Sequence, residues 1–68
     1  MNQFKVGQTV KLVKKIDGGL SAEIGDTGRI EMITDDPEYP IDIHWFKKGD
    51  TEAVHPSEII LVEEENQK

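Results

Sequence analysis

His55 stands two positions before Ser57, which places a possible general base near a hydroxyl nucleophile. A serine hydroxyl reacts only when a base lies within hydrogen-bond reach and a third group orients that base. The sequence assigns no such third group, and neither serine, Ser21 or Ser57, stands in a Gly-x-Ser-x-Gly setting. We therefore expect Ser57 to cap a short turn by accepting a backbone N–H bond. The chain is predicted not to be an enzyme.

Asp42, His44 and His55 are the residues that could hold a metal ion, since two histidines and a carboxylate form a known ligand set. They would meet if the strands on either side of the hairpin pair. No His-x-His or His-x₃-His spacing supports such a site, and the chain has no cysteine to add a thiolate. The glycine turns DGG and GDTG also lack the spacing of a phosphate-binding loop. No metal and no cofactor are predicted.

Aromatic side chains are concentrated in the segment YPIDIHWF, residues 39–46, which holds three of the four aromatic residues in the chain. Its alternation places Ile41, Ile43 and Trp45 on one face, where we expect them to form the core. Phe46 is expected on the other face, where it anchors a partner, covers the open end of a barrel or packs under the loop at 17–25. Aromatic residues are enriched at protein interfaces. The predicted partner-binding residues are Tyr39, His44, Phe46 and Lys47.

Basic residues in the first half of the chain suggest an alternative, a surface for nucleic acid formed by Lys11, Lys14, Lys15 and Arg29. Residues 1–34 carry five basic and four acidic groups, a net charge of +1, whereas residues 35–68 carry three basic and ten acidic groups, a net charge of −7. The total of −6 disfavours broad binding to nucleic-acid phosphates. A protein is therefore the predicted partner, and nucleic acid the second possibility.

The elements that must position these residues are strands, because apolar residues recur at a spacing of two. Five strands are predicted within the segments QTVKLVKKI, GDTGRIEMI, IDIHWF, TEAV and IILVE. Val13 and Ile16 break the alternation of the first strand and indicate a bulge or a bend there. The segment LSAEIGD is expected to be a loop, and HPSEI to form a single 3₁₀ turn before the last strand. Five short strands without a helix predict an all-β protein, a small barrel.

Three segments resemble the SH3-like barrel superfamily over about residues 4–63. VGQTVKLV is similar to the opening of many such domains, including those with the KOW motif, IGDTGRIEMI to their second strand, and HPSEIILVE to their 3₁₀ turn and closing strand. YPIDIHW is similar to a central strand of the photosystem I subunit IV family, with Trp45 in place of the core aromatic. Small bacterial and phage proteins share the first two patterns. The resemblance implies a five-stranded SH3-like barrel, and its KOW-like members imply nucleic-acid or ribosome association.

The sequence therefore predicts a small binding or adaptor module, of the kind expected for a bacterial or phage accessory protein. One SH3-like barrel is expected over residues 1–63, followed by a charged tail at 64–68 that frays. No apolar run approaches the length of a membrane span. We expect a cytoplasmic protein without a membrane partner, either a monomer or a weak homodimer.

Overall fold

The fold is a single antiparallel sheet of five strands, seen in a computed structural model that describes residues 4–16 and 18–62. The strands are β1 (Thr9–Leu12), β2 (Thr27–Ile33), β3 (Ile41–Trp45), β4 (Thr51–Val54) and β5 (Ile59–Leu61), with the 3₁₀ helix η1 (Pro56–Glu58) before β5. Their order across the sheet is β4-β3-β2-β1-β5. The all-β prediction and the 3₁₀ turn are confirmed. The predicted tail at 64–68 lies outside the described residues.

One face of the sheet, the inner face, carries the core. Strand residues alternate between two faces, and the buried positions of each strand fall on the same side. The buried apolar residues are Val10, Leu12, Ala22, Ile30, Ile41, Ile43, Trp45, Val54 and Ile59. The prediction that Ile41, Ile43 and Trp45 belong to the core is confirmed. The opposite side of the sheet is called the outer face below.

β1 is shorter than predicted, because the chain leaves the sheet after Leu12. The backbone N–H groups of Val13 and Lys14 donate to the carbonyl oxygen of Glu58, at 2.8 and 3.3 Å. The irregularity expected at Val13 and Ile16 is thus an exit from the strand. The register shift in the sheet lies in β2 instead, between Ile30 and Met32.

Glu58 explains this exit. Its side chain is fully buried, and burying a carboxylate requires hydrogen bonds that replace those to water. Its two oxygens accept backbone N–H bonds, from His55 at 2.7 Å and from Ile16 at 2.8 Å. The carboxylate therefore ties the segment after β1 to η1. An alternation pattern cannot show this contact, because it joins residues 42 positions apart.

The residue that caps η1 is His55, whereas the sequence predicted Ser57. The His55 ring nitrogen Nδ1 accepts the backbone N–H of Ser57 at 3.1 Å. The Glu58 side chain accepts the N–H of His55 in return, which completes a capping box. Histidine is an uncommon cap, so residue preference alone pointed to the serine.

The loop between β1 and β2 covers part of the inner face. Ala22 is fully buried there, and the N–H of Ser21 donates to the Glu52 carboxylate of β4 at 3.0 Å. The chain enters β2 through Gly25, whose φ of +100° suits only glycine. Gly28 allows β3 to approach closely, since a Cβ atom there would lie 2.5 Å from the carbonyl oxygen of His44.

No helix in the described part of the chain is long and apolar enough to cross a membrane.

Candidate binding surface on the outer face of the sheet

The outer face carries a row of side chains that crosses four strands. Lys11 of β1 lies opposite Ile60 of β5 and, on its other side, opposite Thr27 of β2. Phe46 extends the row, because its N–H donates to the carbonyl oxygen of Thr27 at 3.1 Å. The row therefore runs from β5 to the end of β3, through Ile60, Lys11, Thr27 and Phe46.

A second row of side chains runs parallel to the first, two residues away along each strand. Arg29 lies opposite Thr9 on one side and His44 on the other. His44 lies opposite Thr51, with its Nδ1 atom 3.3 Å from the threonine hydroxyl. Arg29 and His44 thus flank the centre of the first row. The outer-face patch is defined by these residues of both rows: Lys11, Thr27, Arg29, His44, Phe46 and Ile60.

The two ends of the first row are apolar and open to solvent. Phe46 is 53% exposed and Ile60 is 50% exposed. Phe46 was predicted either to face outward or to pack under the loop at 17–25, and it lies exposed in the turn after β3. Ile60 was missed by the sequence analysis. Strand alternation marks it, since its neighbours Ile59 and Leu61 face inward.

The middle of the patch is basic. Lys11 and Arg29 occupy diagonal positions on adjacent strands, which places their Cβ atoms about 7–8 Å apart. Arg29 forms an exposed ion pair with Glu31 at 3.5 Å, and such pairs contribute little to stability. Lys11 has no ion-pair partner within residues 4–16 and 18–62. Lys47, in the turn next to Phe46, is exposed at the border.

The structure therefore unites parts of two predicted surfaces. His44 and Phe46 were assigned to a protein-binding site, and Lys11 and Arg29 to a nucleic-acid site. All four project from the outer face in two adjacent rows. The sequence could not join them, because Lys11 and Phe46 are brought together only by the pairing of β1, β2 and β3.

Tyr39 is not part of this patch. It precedes β3 whereas Phe46 follows it, so the two residues lie roughly 20 Å apart along an extended chain. Tyr39 is half-buried and lines a shallow hollow with Gly19, Leu20 and Ala53. Tyr39 therefore belongs to a different part of the surface from Phe46, at the opposite end of β3.

Lys14 and Lys15 do not belong to the patch either. They follow the end of β1, in the segment tied to Glu58. The ammonium group of Lys15 donates to the carbonyl oxygen of Leu20 at 3.3 Å. Of the four lysine and arginine residues predicted to bind nucleic acid, Lys11 and Arg29 remain together on the sheet.

His55 and Ser57 contact each other through their side chains, with His55 Nδ1 2.9 Å from the Ser57 hydroxyl. Nδ1 also accepts the Ser57 backbone N–H, which is the geometry of a cap. The Glu58 carboxylate bonds to the backbone of His55 and not to its ring. It therefore does not orient the imidazole as the third member of a catalytic triad would.

The suggested metal ligands are dispersed. Asp42 lies opposite Ala53 and His44 opposite Thr51, while His55 belongs to the cap of η1. In the described residues, no group of three histidine or acidic side chains is arranged to hold a metal ion.

The connection between β2 and β3 contains one perturbed carboxyl group. Asp36 Oδ1 accepts the backbone N–H groups of Glu38 at 2.8 Å and Tyr39 at 2.9 Å. The bond from Tyr39, followed by the one from Glu38, lowers the pKa of Asp36 below its usual value of 3.8 because both stabilise the charged form. This turn sets the position of Tyr39 before β3.

A solved structure resembles this chain in fold. No family model matches it, and no curated protein sequence matches it. Among solved structures, the NMR structure of the Bacillus subtilis protein YorP superimposes with a TM-score of 0.78. The match covers 93% of this chain and 74% of YorP, at 17% sequence identity. Similarity at this identity concerns the fold alone: the chain is similar to YorP as a small all-β protein.

Proposed function

We propose that this protein is a non-catalytic binding module that captures another protein through the outer-face patch. The observation that carries the proposal is the composition of the first row, in which two half-exposed apolar side chains, Phe46 and Ile60, flank Lys11. Apolar anchors surrounded by polar groups are typical of protein interfaces.

The distribution of charge favours a protein over a nucleic acid. Nucleic-acid affinity depends on several cations that neutralise successive phosphates. The patch holds Lys11 and Arg29, and the latter already faces Glu31. The chain as a whole carries a net charge of −6, so a polyanion is repelled before it reaches the patch.

We further propose that the sheet curls into an SH3-like barrel. The placement of β5 beside β1, after a 3₁₀ helix, supports this arrangement. A barrel would bring the edge strands β4 and β5 towards one another and protect both. Nuclear Overhauser contacts between inward-facing side chains of β4 and β5 would test it, and two edges far apart in solution would contradict it.

Site-specific photo-crosslinking tests the binding surface. A benzoylphenylalanine placed at Phe46 should form a covalent product with a protein in cells of the native host. The matched control is the same residue at Ile24, which is 58% exposed but belongs to the turn before β2. The product at position 46 should withstand nuclease and disappear on protease treatment.

Two outcomes would overturn the proposal. Equal crosslinking from positions 46 and 24 would show that the patch is not selective. A product that nuclease removes would assign the surface to nucleic acid, the function suggested by the resemblance to KOW-like domains.

A further inference from the structure

We infer that the partner binds the outer-face patch through an extended, acidic peptide segment that lies across the strands. The segment carries an apolar residue, a carboxylate and a second apolar residue at alternate positions. The inference rests on the proposed function and specifies the partner for the same surface. The three side chains would meet Ile60, Lys11 and Phe46 in that order.

Spacing is the first argument. Neighbouring strands lie about 4.8 Å apart, so the three steps from Ile60 to Phe46 span about 14 Å. In an extended peptide, side chains at positions i, i+2 and i+4 project from one face, and the outer two are about 13 Å apart. An extended segment laid across the strands therefore places its first and last apolar residues over the two apolar ends of the row.

Charge is the second argument. The middle residue of such a segment would lie between Lys11 and Thr27, with Arg29 on the diagonal. Lys11 has no ion-pair partner in the part of the chain that the structure describes. A carboxylate at this position would accept a charge-assisted hydrogen bond from Lys11 and could also accept from the Thr27 hydroxyl.

The acidic character of the remaining surface limits the length of the charged segment. At physiological ionic strength, exposed charges act over a Debye length of about 8 Å. A single carboxylate over Lys11 is attracted locally, whereas a long acidic tract would be repelled by the net charge of −6 that the chain carries. The expected ligand therefore carries one or two carboxylates between apolar residues.

The test is an NMR titration of the ¹⁵N-labelled full-length protein with a blocked decapeptide containing the core Leu-Thr-Glu-Thr-Phe. Two matched peptides carry Lys in place of Glu, or lack one Thr so that the apolar residues are one position closer. A fourth titrant is a single-stranded oligonucleotide of similar length. Amide shifts locate the site and their concentration dependence measures affinity.

We expect the acidic peptide to shift the amides of Lys11, Thr27, Phe46 and Ile60. The Lys11→Glu and Phe46→Ala variants should each weaken its binding by about tenfold or more, the loss typical of an interface anchor. Lys14→Glu makes the same charge change outside the patch and should change affinity less than about twofold. The spectrum of each variant reports whether it remains folded. Should Phe46→Ala unfold, Ile60→Ser replaces it.

Any of four results would overturn the inference. The first is equal binding of the acidic and lysine peptides, and the second is equal binding of the peptide with the shortened core. The third is binding by the oligonucleotide alone. The fourth is the failure of every peptide to bind. If no peptide binds but position 46 still crosslinks to a protein, only this ligand is rejected. If position 46 also forms no crosslink to a protein, the proposed function itself is rejected.

Discussion

Trp45 and Phe46 are adjacent in sequence and lie in opposite environments. Trp45 ends β3 on the inner face and is fully buried, whereas Phe46 is 53% exposed at the end of the outer-face row. The indole Nε1 of Trp45 lacks a hydrogen-bond partner among the described residues, and burial of the large ring is what this position contributes to stability. Neighbouring aromatic residues therefore lie in separate environments, and the proposed binding role belongs to Phe46 alone.

The largest effect is expected when the inner residue is removed. Trp45→Ala should lower the free energy of unfolding by about 3–5 kcal/mol, the usual range for deletion of a large buried aromatic side chain. Urea denaturation followed by circular dichroism measures the loss without relying on tryptophan fluorescence. Trp45→Phe provides a milder change if the alanine variant does not fold.

Phe46→Ala is the matched control for that measurement. Because half of its ring is already in water, its loss should cost less than about 1 kcal/mol. Equal losses at the two positions would show that both rings are core residues. The separation of the two faces would then be wrong.

A stability effect of intermediate size is expected from a second comparison, between two carboxylates that both accept backbone N–H bonds. Glu58 is buried and accepts N–H bonds from Ile16 and His55, whereas Glu52 accepts the N–H of Ser21 at an exposed site. Glu58→Ala leaves two donors without their acceptor and should cost about 1–3 kcal/mol. Hydrogen exchange at the backbone amide of Ile16 should also be faster in the Glu58→Ala variant.

Glu52→Ala should cost less than about 1 kcal/mol, because water can reach the amide of Ser21. If Glu52→Ala lowered the free energy of unfolding more than Glu58→Ala, the assignment of Glu58 as the contact that holds the segment after β1 would be contradicted.

The smallest effect is expected at Asp36, which is exposed. Its folded pKa is below 3.8 because the N–H groups of Tyr39 and Glu38 stabilise the carboxylate. Its contribution to stability is therefore complete above the unfolded value and is lost as the pH falls through the lower folded value. The side-chain carboxyl carbon should titrate below pH 3.8 in an NMR experiment. A midpoint at or above that value would show that the turn before β3 is not formed.

Much of the fold was predictable because alternation is a local property. The run IDIHW shows the faces of β3 directly, and the buried pattern of Ile41, Ile43 and Trp45 follows it. The 3₁₀ turn at Pro56–Glu58 was likewise visible from its short polar sequence. The errors occurred at β1 and at the cap of η1, where Glu58 and His55 form hydrogen bonds that residue preferences do not reveal.

The candidate site was predictable only in part. Its residue types were recognised, but Lys11 and Phe46 were assigned to different surfaces, and Ile60 was not considered. Tyr39 and Phe46 were both assigned to the protein-binding site from opposite ends of the third strand, and the structure places Phe46 in the outer-face row and Tyr39 outside it. Proximity along a strand and proximity across a sheet are different, since neighbours across strands lie about 5 Å apart whatever their separation in sequence.

By itself, the sequence of this protein determined that the chain forms strands and which face of β3 leaves water. The period of two in β3 separates apolar from polar positions, and burial of apolar area drives that face into the core. Only the tertiary structure decided which outward residues become neighbours. The register of β5, β1, β2 and β3 is set by long-range hydrogen bonds and packing, and it places Ile60, Lys11, Thr27 and Phe46 in one row.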